Sequence, residues 1–229
     1  MQRLSLYGAL IMVLTALITA CSSSADEQPT PEPTAIPRPT VVVITAAGPY
    51  STAFEDTGDW LVGESDSGGG RIEDGRYILG VDEAFTLGWS HQQRAFGDAI
   101  YEIEANLERG SEASGFGFLL LGSSDMSSFM YAMITGDGRF DIGYCADSCA
   151  TQESLIGGYT LAPTILVNNQ VNYLRVELSQ GSLTFSVNGA AVSQINDLEY
   201  EKGLLGLIAE SARFGGMEAA FDNLRVTEK

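Results

Sequence analysis

The sequence predicts an all-β domain over residues 51–229, with two antiparallel sheets packed face to face as a jelly-roll sandwich. Three observations carry this. Short apolar or alternating runs recur at regular spacing, punctuated by Gly, Asp and Asn clusters. No stretch of this region shows the 3.6-residue periodicity of a helix. The ten or more strands are too many for one open sheet, which would curl or split, so two packed layers follow.

Two segments precede that domain. Residues 1–20 carry one cation, Arg3, then a 17-residue uncharged run from Leu4 to Ala20 that closes on the small residues Thr19 and Ala20. This is the order of a secretory signal peptide, and the run is at the short limit for a retained membrane span. Ile18-Thr19-Ala20-Cys21 resembles the lipobox of bacterial lipoproteins. The resemblance implies a diacylglyceryl group on Cys21, removal of the leader, and a mature chain held to membrane lipid by its first residue. Residues 21–50 then form a linker: Ser22 to Thr40 contains five prolines and almost no large apolar side chain. Such a segment cannot bury enough surface to fold and reads as extended spacer. Val41 to Ala47 is either an edge strand or the end of that spacer.

Within the domain, Tyr101, Ile103, Ala105 and Leu107 alternate with Glu102, Glu104, Asn106 and Glu108, a strand with one buried face. Gly115 to Gly122 is a buried run, and Phe129 to Thr135 a further strand leading to Asp137-Gly138, where a tight hairpin with positive φ at both residues is expected. The chain returns through Phe140 to Cys145. Strands are then expected at 172–179, 182–189, 190–195, 203–209 and 217–228, with Asn188-Gly189 a second tight hairpin. The expected core includes Phe116, Phe118, Leu174, Val176, Leu178, Leu183, Phe185, Val187, Leu207 and Leu224.

The run Tyr173 to Val192, then Gly203 to Glu210 and the closing Phe221 to Val226, resembles the end of concanavalin A-like lectin/glucanase domains, nearest to the laminin-G-like and 3-keto-disaccharide-hydrolase-like groups. Phe54 to Trp60, followed by Gly75 to Leu79, is similar to how lipid-anchored bacterial members begin. The resemblance implies a jelly roll with one convex sheet and one concave sheet of the kind that commonly cradles sugars.

Chemistry narrows the function further. Only 12 basic residues face 30 acidic ones, a net charge of −18, which repels a phosphate backbone and argues against nucleic acid and against a polybasic membrane patch. With Cys21 acylated, Cys145 and Cys149 form an even pair across a three-residue loop, close enough for a disulfide in an oxidising compartment. So small a loop stabilises by at most roughly 2 kcal/mol. Two thiols and one histidine are too few soft ligands for a metal site. That histidine, His91, lies in a polar stretch read as loop, with no nucleophile elbow anywhere, so a hydrolase triad is disfavoured. Glu102, Glu104 and Glu108 invite comparison with the Glu-x-Asp-x-x-Glu of laminarinase-type glucanases, but two of the three positions fail.

Trp89, Tyr131, Arg139 and Tyr144 fall in the middle strands and form the candidate sugar surface, flat apolar rings beside a planar donor. Trp60 and Tyr159 are less well placed. Glu55 and Asp222, near the two ends of the domain, are the candidate ligands of a structural calcium ion. The expectation is therefore an envelope lipoprotein facing outside the cytoplasm, binding carbohydrate or a cell-envelope polymer without catalysis. A glycoside hydrolase acting on glucans or oxidised disaccharides, and a laminin-G-like interaction module, are the alternatives.

Overall fold

In the computed structural model, described for residues 44–45, 49–65 and 67–229, the chain is all β apart from its turns. The leader, Cys21 and most of the linker lie outside the described residues. No helix among the described residues is long and apolar enough to cross a membrane.

The chain enters through β1 (Ile44–Thr45) and β2 (Tyr50–Thr52). A glycine-rich hairpin, β3 (Gly63–Ser65) and β4 (Gly68–Glu73), leads to β5 (Arg76–Val81), β6 (Leu87–Phe96) and β7 (Ala99–Arg109). A meander follows: β8 (Gly115–Gly122), β9 (Phe129–Thr135) and β10 (Arg139–Ala146). Short β11 (Thr151–Ser154) and β12 (Thr160–Leu161) precede β13 (Asn172–Ser179), β14 (Ser182–Val187) and β15 (Ala190–Ile195). The chain ends with β16 (Gly203–Glu210) and β17 (Met217–Glu228).

These strands form two layers. The first sheet runs β1-β6-β16-β8-β9-β10-β11, with β12 also on β10. The second runs β15-β14-β13-β7-β17-β5-β4-β3, with β2 also on β17. Every pairing is antiparallel except β1 on β6, which makes the Val41 to Ala47 stretch an edge strand at Ile44 and Thr45. The chain passes repeatedly from one sheet to the other, as at β5–β6, β7–β8, β15–β16 and β16–β17. This is the expected jelly-roll sandwich.

Alternation places the core. Phe116, Phe118 and Leu120 of β8, with Leu205, Leu207 and Ala209 of β16, face Tyr101, Ile103, Leu174, Val176, Leu183 and Phe185 of the second sheet. All ten core residues expected from the sequence are at most 1% exposed. Ring pairs span the two layers: Tyr101 meets Phe118 at 6.4 Å, and Phe140 meets Phe185 at 6.2 Å. Each such side chain contributes about 1.5–3 kcal/mol by leaving water.

The solvent side of the second sheet is polar. There Glu102 pairs with Arg175, Glu104 accepts from the Asn223 amide, and Glu108 pairs with Arg76. The acids of the alternating strand are thus held by neighbouring strands on an exposed face.

The turns meet the local expectations unevenly. Asn188 and Gly189 both take positive φ, 53° and 84°, as a tight two-residue hairpin requires. At the other hairpin only Gly138 does, with its N–H donating to Thr135 O at 3.1 Å. The turn therefore starts one residue earlier than expected, and Asp137 keeps an ordinary φ while its carboxylate accepts from the Thr135 hydroxyl. Cys145 and Cys149 do form a disulfide, with Cα atoms 4.6 Å apart. Cys149 itself, however, lies in the turn, because Ala146 pairs with Thr151. Asp147, Ser148 and Cys149 take consecutive positive φ values of 52°, 57° and 62°, a coil that brings the two sulfurs together on one side.

Candidate functional site

The outward face of the first sheet carries Trp89 (β6), Leu119 (β8), Phe129 and Tyr131 (β9), Asp141 (β10) and Ile208 and Glu210 (β16), by the alternation that sends their neighbours into the core. This face is packed shut over β8, β9 and β16, with Leu87 and Trp89 of β6 partly exposed beside it. Trp89 and Phe129 come from strands three positions apart, yet their ring centroids are 5.4 Å apart. Leu119, Met133, Leu204 and Ile208 lie buried in the same cluster. Tyr131, only 1% exposed, is packed among them. Its partner across the ladder, Gly143, has a steric reason to lack a side chain: a Cβ there would come within 2.3 Å of the Tyr131 hydroxyl.

The segment from Ser154 to Thr160 is fastened over this face by two carboxylates. Asp141 accepts from the Ser154 hydroxyl at 2.5 Å through one oxygen and from the Tyr131 hydroxyl at 3.1 Å through the other. Glu210 accepts from the Tyr159 hydroxyl at 2.5 Å. Burial raises the Glu210 carboxyl above its usual range; the Tyr159 donation opposes this and the nearby Asp141 charge adds to it. Two acids on one sheet face invite a catalytic reading, but here both serve as anchors for the covering segment.

The four residues of the expected sugar surface all lie in the first sheet, Trp89, Tyr131 and Arg139 on its outward face and Tyr144 on the other. On that outward face Trp89 is partly exposed and Tyr131 buried, while Arg139 starts β10 at the far end, paired with Asp137 at 3.4 Å. Tyr144 points the opposite way from Cys145, toward the mouth of the sandwich where the sheets part. Trp60 is a buried core ring against Phe54 and Tyr77. His91 is in strand β6, not a loop, and burial lowers its pKa. Glu55 is exposed after β2, Asp222 sits half-buried in β17, and its carboxylate accepts from the Asn223 N–H at 2.6 Å. No group of three or more His, Cys, Asp or Glu among the described residues is arranged to hold a metal ion.

The mouth at Tyr144 is a cleft of about 310 Å³. The end of β8 and the following loop, Met130, Tyr144 and the disulfide backbone at Cys145 form one wall, and Glu199, Tyr200, Glu201 and Lys202 form the other. Both tyrosines are held by their hydroxyls: Tyr144 donates to Glu153 at 2.6 Å and Tyr200 to Asp98 at 2.7 Å. The Glu153 carboxylate beside it raises the Tyr144 phenol, while burial, then the bond to Asp98, push that of Tyr200 up to about 12.

The β8–β9 loop is equally fixed. Asp125 accepts from the Ser123 hydroxyl, the Ser127 hydroxyl and the Ser127 N–H, at 2.8, 2.7 and 3.1 Å, and these bonds hold its carboxyl down to about 2. The disulfide fixes the next corner. The walls of this cleft are therefore held in place, with one tyrosine ring on each side among polar groups. Sequence reasoning does not find Tyr200: its only signal is one aromatic within the acidic run Glu199-Tyr200-Glu201 joining the two sheets.

No known family model matches the chain, and no curated protein sequence matches it. Solved structures match the fold. The Bacillus licheniformis β-glucanase superposes with a TM-score of 0.62 at 11% identity, over 81% of this chain and 100% of that one. The carbohydrate-binding module CBM66 of Bacillus subtilis gives 0.54 at 13%, over 73% and 94%. A prokaryotic lichenase derived from a mouse hindgut metagenome gives 0.57 at 12%, over 80% and 99%. The lectin/glucanase type of jelly roll expected from the sequence is thus the fold observed.

Proposed function

We propose that this chain is an envelope lipoprotein whose sandwich binds carbohydrate, without cleaving it, in the cleft between Tyr144 and Tyr200. The observation that carries the reading is the cleft itself: two half-buried rings on a frame fixed by a disulfide and a bonded serine-aspartate loop. Pyranose rings present C–H patches edged by hydroxyls, which such walls complement. The fold shared with a carbohydrate-binding module and with glucanases supports a glycan as ligand. Between these two precedents, the acids favour binding. Hydrolysis needs two carboxyl groups facing each other across the scissile bond, about 5–9.5 Å apart. Asp141 and Glu210 are bonded beneath the covering segment, and Glu102, Glu104 and Glu108 lie on the other sheet's solvent face. The cleft's own Glu199 and Glu201 are two residues apart on one wall, with no lining carboxylate opposite them.

The expected result on a glycan panel is saturable binding that Tyr144→Ala and Tyr200→Ala each weaken tenfold or more, ~1.4 kcal/mol. Trp89→Ala, on the opposite face of the sheet from Tyr144, leaves it within about twofold. A folded protein that binds no glycan overturns the reading, and turnover of any panel member overturns its non-catalytic part.

The tether rests on the leader and Cys21. Intact-mass measurement of protein extracted from membranes should show a diacylglyceryl-modified chain beginning at Cys21; an unmodified chain beginning elsewhere refutes the anchor.

A further inference from the structure

We infer that the ligand of this cleft carries a protonated amine, as an amino sugar with an unsubstituted nitrogen does. The inference rests on the reading of the cleft as a glycan site and specifies the chemistry of that glycan. It follows from which hydrogen-bonding groups the walls retain. Both tyrosine hydroxyls already donate to carboxylates, Glu153 and Asp98, so neither proton is free for a ligand. The single cation in the lining, Lys202, has its charge paired with Glu228, to which it gives one of its three protons at 2.8 Å. The Ser123 hydroxyl donates to Asp125. Among the lining side chains the donors left are the other Lys202 protons and the Ser128 hydroxyl, and a hydroxyl accepts as readily.

The walls therefore present mainly acceptors. Glu199 and Glu201 line the cleft, both exposed, and neither pairs with a cation among the described residues. A neutral sugar hydroxyl finds acceptors here. A ligand that itself needs donors, such as a uronic acid or a phosphate, meets two unpaired carboxylates and one lysine already paired with Glu228.

An ammonium group satisfies this set on three counts. It supplies three donors and no acceptor. Its charge is attracted to the two carboxylates, and to tyrosine ring faces made more electron-rich by a hydroxyl bonded to a carboxylate. The chain's net charge of −18 raises the local concentration of cations around it. An N-acetyl group offers one donor and no charge, so the cleft distinguishes the two forms of the same sugar.

The test compares glucosamine oligomers with N-acetylglucosamine oligomers of the same length, on the full chain in neutral detergent. The expected result is at least a tenfold preference for the free amine at low salt and mildly acidic pH. That preference shrinks with added salt and as pH rises past the amine's own pKa. The double variant Glu199→Gln/Glu201→Gln brings the preference within about twofold, whereas Tyr144→Ala weakens both ligands. A remote pair, Glu83→Gln/Glu112→Gln, leaves the preference intact and so excludes general attraction to an acidic surface. Equal or tighter binding of the acetylated oligomer overturns the inference while leaving the glycan site standing, as does a preference that survives the Glu199/Glu201 change. Binding of neither ligand, nor of any other glycan, overturns the site reading and this inference with it.

Discussion

Replacing Phe185 by alanine is expected to lower the unfolding free energy by about 3–5 kcal/mol, read as a fall in the urea midpoint with an unchanged slope. The ring is fully buried in β14, paired opposite Val176, and meets Phe140 of the other sheet edge-on at 6.2 Å and 61°. It therefore fills space between two layers whose backbones are fixed by their own hydrogen-bond ladders. Neither sheet can move in to close the void, so the cavity cost adds to the lost transfer energy. Val192→Ala, at a partly buried position of the edge strand β15, is the matched control, because an outer strand has fewer neighbours to leave unpacked. Its expected cost is about 1 kcal/mol or less. A Phe185→Ala loss no larger than that of Val192→Ala would mean that the two layers are not held by this interleaving.

The second sheet and the meander are legible because their sequences obey a simple rule. In β7 every second side chain is apolar and buried, and in β13 and β14 the pattern repeats with tight turns between. Strand β6 hides from that rule. Ser90 and Gln92 point inward and are buried, and they are tolerated because their partners are built in. Ser90 bonds Tyr77 and the Leu61 carbonyl, and the Gln92 amide bonds the Arg94 backbone on both sides. A buried polar group fully satisfied by hydrogen bonds leaves no hydrophobic period to read, so this strand, His91 included, reads as loop.

The candidate site is half legible for a related reason. Tyr144 is an aromatic within a strand, which its own neighbours reveal. Tyr200 joins it only through tertiary structure, from a connection between sheets. The covering segment escapes altogether, since Ser154 to Thr160 contains two glycines and reads as a turn wherever it folds. Two acids fix it over the sheet. Asp141 holds Ser154, 13 residues away, and Glu210 holds Tyr159, 51 residues away, separations over which no local pattern reports.

Asp141→Ala is expected to release that segment and to cost about 2–4 kcal/mol, because it strands two donors at once. The residue is 4% exposed, and its two carboxylate oxygens take the Tyr131 and Ser154 hydroxyls. Without it, the buried Tyr131 hydroxyl, which also meets the Gln152 side chain, loses the acceptor for its proton, and Ser154 loses the bond that draws the segment down. The expected signature is a lower melting temperature with increased binding of a hydrophobic dye, as the buried Phe129, Leu119 and Met133 become accessible. Asp141→Asn, which keeps one acceptor oxygen, should fall between the parent and the alanine variant. Glu210, on the same face, gives the opposite sign. Its folded pKa is raised, so the stability it contributes is full below its unfolded value of 4.5 and is lost as pH rises through the higher folded value. Glu210→Gln should therefore be more stable than the parent at neutral pH, with the advantage disappearing in acid, where the parent carboxyl is also neutral. A stability difference independent of pH would show that the Glu210 charge is not held against its burial. An Asp141→Ala variant as stable as the parent, with no gain in dye binding, would show that the segment is held over the sheet by packing alone.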